Sequence, residues 1–405
     1  MICSPKQNQL TASKNNISFS VYNSVNEFST AEWNKIAGEK IFLQTNYLQA
    51  LEQSETAGIS FRYVTISENK IPKAIAYFQV ADLTSKELGS FINLENYGTV
   101  LQAAGNKIND LLFSGSKYSS NNLLVCGSLF VSGEYGIAAD NKFLPITFNL
   151  FSEIIETISE GITQTGGRVI ACTVKDFYED KDKAANVLTK NNFHRMVVDP
   201  NMIFKVRSGW KTFDDYLEAM SAKYRLRANN SMKKIEHVRI KYLNDVEIEK
   251  EKDSIDKLYL NVQKKAPVRI VRANINYFGC LKKYLKDQFV FRAFYIEGKM
   301  IAFTSGVKHN GHYEAHFIGI DYHYNQSHSI YQNILYDFIH EAIKSRSEEL
   351  YFGRTAMEIK STVGAVAHPL FSYFRFSNSL LNRLVKPFIP KEENKSWIPR
   401  NPFKE

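Results

Sequence analysis

The segment from Phe289 to Lys360 sets the tightest limits on what this chain can become. Tyr313–Ile320 (YEAHFIGI) alternates as a half-buried strand does, with Glu314, His316, Ile318 and Ile320 on one face and Tyr313, Ala315, Phe317 and Gly319 on the other. A polar run follows, Asp321-Tyr322-His323-Tyr324-Asn325-Gln326-Ser327-His328-Ser329. From Ile330 the period becomes helical, and Ile334, Leu335, Phe338, Ile339, Ala342 and Ile343 extend one wide apolar stripe. Glu349–Gly353 then reads as a further strand. Upstream, Phe289–Ile296 and Met300–Lys308 flank Glu297–Lys299, a turn with its glycine in place. A hairpin followed by a strand–helix–strand crossover specifies a mixed α/β sheet.

The same order of elements occurs earlier in the chain. Strand Ile17–Tyr22, helices Ser29–Gly38 and Thr45–Gln53, and the hairpin Phe61–Ile66/Ile71–Val80 lead to strand Leu123–Cys126. Helix Thr147–Ile158, strand Arg168–Val174 and helix Lys183–Lys190 follow, then Arg195–Val198 and Met202–Val206 on either side of Pro200. In the second half a long polar helix, Asp214–Glu236, precedes strand Arg239–Leu243 and helices Lys252–Gln263 and Asn276–Leu285. No sequence identity links the halves, so the expectation is a duplication of architecture. A chain of 405 residues accommodates two domains, here 17–206 and 207–370. Residues 1–16 are expected to be disordered, and 371–405 form a basic, aromatic tail.

The formal charge of +9 attracts phosphate-bearing partners: nucleic acid, CoA or an anionic membrane face. The 28 Phe and 22 Tyr suit wide apolar sheet faces or an apolar channel. Cys3, Cys126, Cys172 and Cys280 form no CxxC pair, which fits a reducing compartment and implies neither a disulfide framework nor a metal site. The N-terminus lacks an apolar signal core, and no apolar run is long enough to span a bilayer. A cytoplasmic protein is expected.

Several residues carry candidate chemistry. A strand, a polar loop and a helix start leave backbone N–H groups free, and with the helix dipole they suit a pyrophosphate. Ile320, Asp321, Gln326, Ser327, His328 and Ser329 form that loop, although no glycine-rich phosphate fingerprint is present and an ordinary connection fits equally. Glu314 and His316 share a strand face, where either could accept a proton; a hydrogen-bonded structural pair is the alternative. His312 and His316 lie roughly 13 Å apart on a strand, too far to share one metal ion. Arg354, Glu358 and Lys360 follow a strand end, where open α/β sheets place ligands; a surface ion pair is the plainer reading of Glu358. Lys223, Arg225, Arg227, Lys233, Lys234 and Arg239 make the densest basic run, either a solvated helix or a phosphate-binding face. In the tail, Leu380, Leu381, Leu384 and Val385 with Arg383 and Lys386 suit a short amphipathic helix, docked on the body or lying at a membrane interface.

The run FIGIDYHYNQSHSIYQNILYDFIHEAIKSRSEELYFGRTAMEIKSTVGA, with the turn Tyr351-Phe352-Gly353-Arg354-Thr355, resembles the C-terminal domain of the GNAT superfamily, and more closely its duplicated FemAB-like branch. Trp210, Phe213, Tyr216 and Lys223-Tyr224-Arg225 at the start of the second domain, and Phe42, Leu43, Tyr47, Leu48, Ala50, Leu51 and Glu52 in the first, are similar to that branch. So is the glycine-punctuated stretch Val125–Gly136, which in that family lines the cleft between domains; a pair of tight turns reads it equally well. The Arg/Gln-x-x-Gly-x-Gly/Ala loop of many small GNAT acetyltransferases is absent; Asn325–Ser329 stands there. The resemblance implies two tandem GNAT-like domains, each a mixed, mostly antiparallel sheet flanked by helices. It implies an N-acyltransferase with no permanently bound cofactor that takes acyl-CoA or another acyl thioester. The 320–329 residues would hold the donor, Glu314 and His316 would be catalytic, and Arg225, Arg354, Glu358 and Lys360 would contact substrate. The acceptor would be an amine of a lipid or cell-envelope precursor, a sphinganine-like base included, with membrane contact through the tail. The rivals are aminoacyl transfer from charged tRNA to a peptidoglycan precursor, and a GNAT fold that binds an envelope ligand without catalysis.

Overall fold

The computed structural model describes residues 16–83, 118–265, 271–389 and 397–404. The expected disorder of the N-terminus therefore lies, except for Asn16, outside the described residues. The strands are β1 (Ile17–Tyr22), β2 (Ile59–Glu68), β3 (Ile71–Asp82), β4 (Ser120–Cys126), β5 (Ile137–Ala139), β6 (Gly167–Phe177), β7 (His194–Lys205), β8 (Arg239–Tyr242), β9 (Phe289–Ile296), β10 (Lys299–His309), β11 (His312–Ile320), β12 (Glu349–Tyr351) and β13 (Val366–Phe376). All belong to one sheet, ordered β1-β2-β3-β4-β6-β13-β7-β12-β11-β10-β9-β8, with β5 beside β3.

Turn chemistry sets the hairpins. Asn69-Lys70, Glu297-Gly298 and Asn310-Gly311 all have positive φ at both positions, the backbone that matches the twist of two-residue hairpins. Each half contains one parallel pair, β4 with β6 and β11 with β12. Their crossovers run through helices Phe151–Gln164 and Ile330–Lys344. These two helices cover one face of the sheet, packing on Val64, Phe78 and Val174 in the first half and on Phe294, Ala302 and Tyr313 in the second. Helices Thr30–Ala37, Thr45–Gln53, Lys252–Gln263 and Tyr277–Leu285 cover the other.

Two features join the halves. The helices on that second face share one core, in which Tyr63, Tyr77 and Phe130 of the first half lie with Tyr259, Tyr277 and Phe278 of the second, and Phe130 stacks on Tyr277 at 5.2 Å. Each fully buried ring contributes about 1.5–3 kcal/mol, so this shared core opposes separation. The strands also interleave: β13, from the C-terminal region, enters between β6 and β7, and β7 pairs with β12. Position 370 thus falls within a strand of the first-half sheet, and the tail continues as helix Ser379–Val385.

Two local expectations are corrected. β7 is continuous through Pro200, because a bulge sets Asp199 and Pro200 against Pro369 where ladder bonds are missing. The long helix Asp214–Glu236 is two helices, Phe213–Ala219 and Ala222–Lys233, broken where Met220 turns extended, buries itself and bridges to Phe403.

Candidate functional site

The site is built around an irregularity in β11. Opposite the bulge, Ser305 of β10 alone faces both His316 and Phe317. The Ser305 hydroxyl accepts from the Phe317 N–H at 3.0 Å and donates to the Phe317 carbonyl at 2.8 Å, replacing the ladder locally. The extra residue shifts the alternation, which corrects the expected faces: Ile318 and Ile320 join Tyr313 and Ala315 against helix Ile330–Lys344, while Phe317 turns to the shared core. Bulges re-aim side chains in this way beside functional centres. His316 sits on the bulge, with Nε2 2.7 Å from Tyr277 Oη and Nδ1 buried without a partner. Burial pulls its imidazole down to about 3, so the ring is neutral.

Glu314, two residues earlier, is 2% exposed, and its Oε2 has no partner. Burial pushes its carboxyl well above the usual carboxylate range, against a hydrogen bond from Tyr135. Tyr135, Tyr178 and Tyr351 surround it. Asn201 Nδ2 donates to Tyr178 Oη at 2.8 Å, and Tyr351 Oη donates to Glu349 at 2.7 Å. The centre therefore draws Tyr135, Tyr178 and Asn201 from the first half and Glu314, His316, Tyr277 and Tyr351 from the second. Its floor extends to Asp176, wholly buried at a positive φ of 69°, which pairs with Arg354 and with Lys175 and accepts from the Gly133 N–H. Asn201 Oδ1 and Arg354 Nε are also buried without partners. Buried polar atoms in folded proteins are nearly always satisfied, so this concentration of orphans between the halves singles out the candidate site.

β11 pairs with β12 only from His312 to Glu314, and beyond that, among the described residues, its edge from Ala315 to Ile320 has no strand beside it. Such an edge presents backbone donors and acceptors to an extended ligand. At its far end the structure departs from the expected polar loop: Tyr322–His328 is a short helix, turned into helix Ile330–Lys344 by Ser329 in the left-handed conformation. Asp321 caps the short helix by accepting from the His323 N–H at 3.1 Å, and it pairs with Lys299. The Ile320 carbonyl accepts from Asn261, Gln326 is exposed, and Ser327 Oγ lies 2.7 Å from His328 Nδ1. The Asn325 side chain takes the Tyr331 N–H of the long helix. Two cationic or titratable groups reach this corner: Lys234 Nζ donates to Ser329 Oγ at 3.1 Å, and His237 lies 3.2 Å from His328.

The remaining sequence candidates are dispersed. Lys360 is buried, donates to the Phe352, Gly353 and Arg354 carbonyls, and is drawn down by burial to about 7; it fixes the turn that carries Arg354. Glu358 pairs with Arg400 at 2.7 Å on the surface. Arg225 lies on helix Ala222–Lys233, and among the described residues no side-chain hydrogen bond or ion pair joins it to the Glu314 centre. Among the described residues no group of three or more His, Cys, Asp or Glu side chains is placed to hold a metal ion. Sequence reasoning did not single out Tyr178, Asn201, Asp176 or Tyr277, which become neighbours of Glu314 and His316 only through tertiary packing. Tyr135 alone had a local signal, its place in the glycine-punctuated stretch.

No family model and no curated protein sequence matches the chain. Solved structures do. FemX matches with a TM-score of 0.52 at 9% identity, over 89% of this chain and 99% of that one. A tandem GNAT protein from the clavulanic acid biosynthesis pathway matches with a TM-score of 0.50 at 7% identity, over the same 89% and 99%. At such identities the likeness is one of fold. The chain has the two-unit, GNAT-like fold of these proteins.

Proposed function

We propose that this chain of tandem GNAT-like fold is an N-acyltransferase, moving an acyl group from an acyl thioester such as acyl-CoA or an acyl carrier protein to an amine of a lipid or cell-envelope precursor. One observation carries the reading: the unpaired edge of β11 begins beside the orphaned polar centre of Glu314 and His316. An extended donor arm lying along that edge reaches the centre with its carbonyl, and its phosphates reach the corner of Lys234, His237 and Ser329.

Glu314 is the proposed base. A cationic amine entering beside it favours the carboxylate and forms an ion pair. Glu314 takes one proton from the ammonium and passes it to solvent; as the neutral amine nitrogen so formed attacks and the C–N bond forms, a second N–H proton passes to Glu314. Collapse breaks the C–S bond, and the thiol leaves with the proton returned from Glu314. Neutral His316 serves as donor: with Tyr277 donating to Nε2, the Nδ1–H is free to bond the carbonyl oxygen as negative charge develops. The aromatic wall of Phe130, Tyr277 and Phe317 supports an apolar acyl chain or a sphinganine-like acceptor. The test is incubation of the purified protein with palmitoyl-CoA and sphinganine, read by mass spectrometry. An amide is expected from wild type and not from Glu314→Gln. No product at any acyl length, from a protein that also fails to bind CoA, would refute the assignment.

Aminoacyl transfer from charged tRNA is the second reading, favoured by the basic run, whose Lys234 lies with His237 at the donor corner. Salt-sensitive tRNA binding would support it over a thioester donor.

A further inference from the structure

We infer that the acyl donor is delivered by an acidic carrier protein, which docks on the exposed face of helix Ala222–Lys233; the inference names the partner of the site proposed above and rests on that reading. The helix sequence, AKYRLRANNSMK, contains no Asp or Glu. At about 100° per residue, Lys223, Leu226, Arg227, Asn230, Lys233 and, one residue beyond, Lys234 fall within an arc of roughly 120°. All six are exposed. Ala228 and Ser231, outside that arc, are buried, and the Ser231 carbonyl accepts from Asn333 of the crossover helix at 3.0 Å. Packing therefore holds the cationic arc outward. Lys234 bonds Ser329, Arg227 lies over the Tyr224 ring, and among the described residues no ion pair engages any of the four cations.

Position ties this face to the catalytic centre. Its C-terminal end is the donor corner, where Lys234 Nζ donates to Ser329 Oγ and His237 meets His328. From that corner β11 runs from Ile320 back to Glu314, about 20 Å, the length of an extended phosphopantetheine arm. In the other direction Lys223 lies roughly 16 Å along the helix from Lys234. CoA ends at the corner with its nucleotide, whereas a carrier protein continues past it onto these cations. Leu226 selects the kind of partner: it is 61% exposed in the middle of the cationic arc. Protein interfaces set apolar contacts within a polar rim, and complementary charge fixes their register and speeds encounter. A nucleic-acid backbone gives Leu226 no such contact. The bonds made and broken at Glu314 are those of the proposed reaction, with the freed thiol remaining on the carrier; acyl-CoA, which shares the arm, uses the same edge without the docking surface.

The test uses the full chain and three probes: a bacterial acyl carrier protein loaded with palmitate, palmitoyl-CoA and deacylated tRNA. Binding is read by interferometry, and amide formation with sphinganine by mass spectrometry. Wild type is expected to bind the palmitoyl carrier and to use it with a kcat/KM about tenfold or more above that for palmitoyl-CoA. Lys223→Glu/Arg227→Glu is expected to weaken carrier binding about tenfold and palmitoyl-CoA binding by less than about twofold. Lys223→Gln/Arg227→Gln, checked by circular dichroism, guards against misfolding and is expected to weaken carrier binding less. Leu226→Ser is expected to weaken it about threefold, as loss of an apolar contact does. Lys183→Glu/Lys190→Glu, exposed elsewhere on the surface, is expected to bind as wild type does. No carrier binding, or carrier binding unchanged in Lys223→Glu/Arg227→Glu, overturns the inference. So does tRNA bound through these cations in place of the carrier, which would assign the face to nucleic acid. The two claims fail separately: amide formed from palmitoyl-CoA without carrier binding leaves the transferase reading standing and removes the partner, whereas no amide from either donor and no CoA binding removes the transferase reading itself.

Discussion

The two parallel strand pairs of this sheet arise from the same architecture and end differently. β4 is paired with β6 along its whole length, Ser120 to Cys126, whereas β11 leaves β12 after Glu314 and runs on to Ile320 alone. In the first half the chain fills the space beyond the pair with itself. Gly127 and Gly136 bond back to Tyr77, and a Cβ at Gly136 would stand 2.9 Å from the Gly127 nitrogen. Lys175 closes the loop by donating to the Ser128 and Val131 carbonyls. In the second half, among the described residues, no strand fills that space beside the buried carboxyl. One unit has become scaffold, lending Tyr135, Tyr178 and Asn201 to the other, which keeps the strand edge on which a donor is proposed to lie.

The comparison can be broken in several places. Glu314→Gln should lower kcat by about 10²–10⁴-fold while leaving the fold intact, the usual effect of losing a general base; Val125→Ala, on the closed pair, should alter stability only. Arg354→Met leaves Asp176 buried with one fewer cation and should destabilise by about 3–5 kcal/mol in chemical unfolding. Asp176→Asn in the same chain should recover most of that loss. Gly136→Ala forces a methyl against backbone and should cost about 1–3 kcal/mol, with donor affinity unchanged. Lys234→Ala should weaken CoA binding two- to fivefold, the modest effect of an exposed cation.

Two pH dependences sharpen the assignment of Glu314. Its proton is held more tightly in the folded chain than in the unfolded one, where 4.5 is the ordinary value. Between that value and its raised folded value the native state binds more protons, so stability falls as pH rises through the window. Glu314→Gln should flatten this slope in unfolding curves taken across pH. In kcat/KM the acid limb should lie above the usual carboxylate range, and no limb should appear near 6.5, because His316 stays neutral down to about 3.

Much of the scaffold was legible because its signals are local. Asn310-Gly311 and Glu297-Gly298 specify tight hairpins through their positive φ, and the change of period at Ile330 specifies the crossover. What depended on distant partners was not legible. β13 inserts between β6 and β7 by a strand exchange that no local pattern encodes. Tyr322–His328 looked like a loop because its residues are weak helix formers, yet the Asp321 cap and Lys265 over the Tyr322 ring support a helical turn there. Glu314 and His316 could be paired on a strand face, but the bulge that re-aims His316 relies on the Ser305 hydroxyl in the neighbouring strand. Tyr178 and Asn201 reach Glu314 because β7 pairs with β12 and joins the halves in one sheet.

Hydrogen exchange tests the contrast between the two strand pairs most directly. With a non-hydrolysable palmitoyl-CoA analogue bound, amides of Ala315–Ile320 and the first turn of helix Ile330–Lys344 should gain protection, while Ser120–Cys126 should be unchanged. Protection at β4 and β6, or saturating analogue binding with no change along β11, would contradict the assignment of the open edge as the donor site.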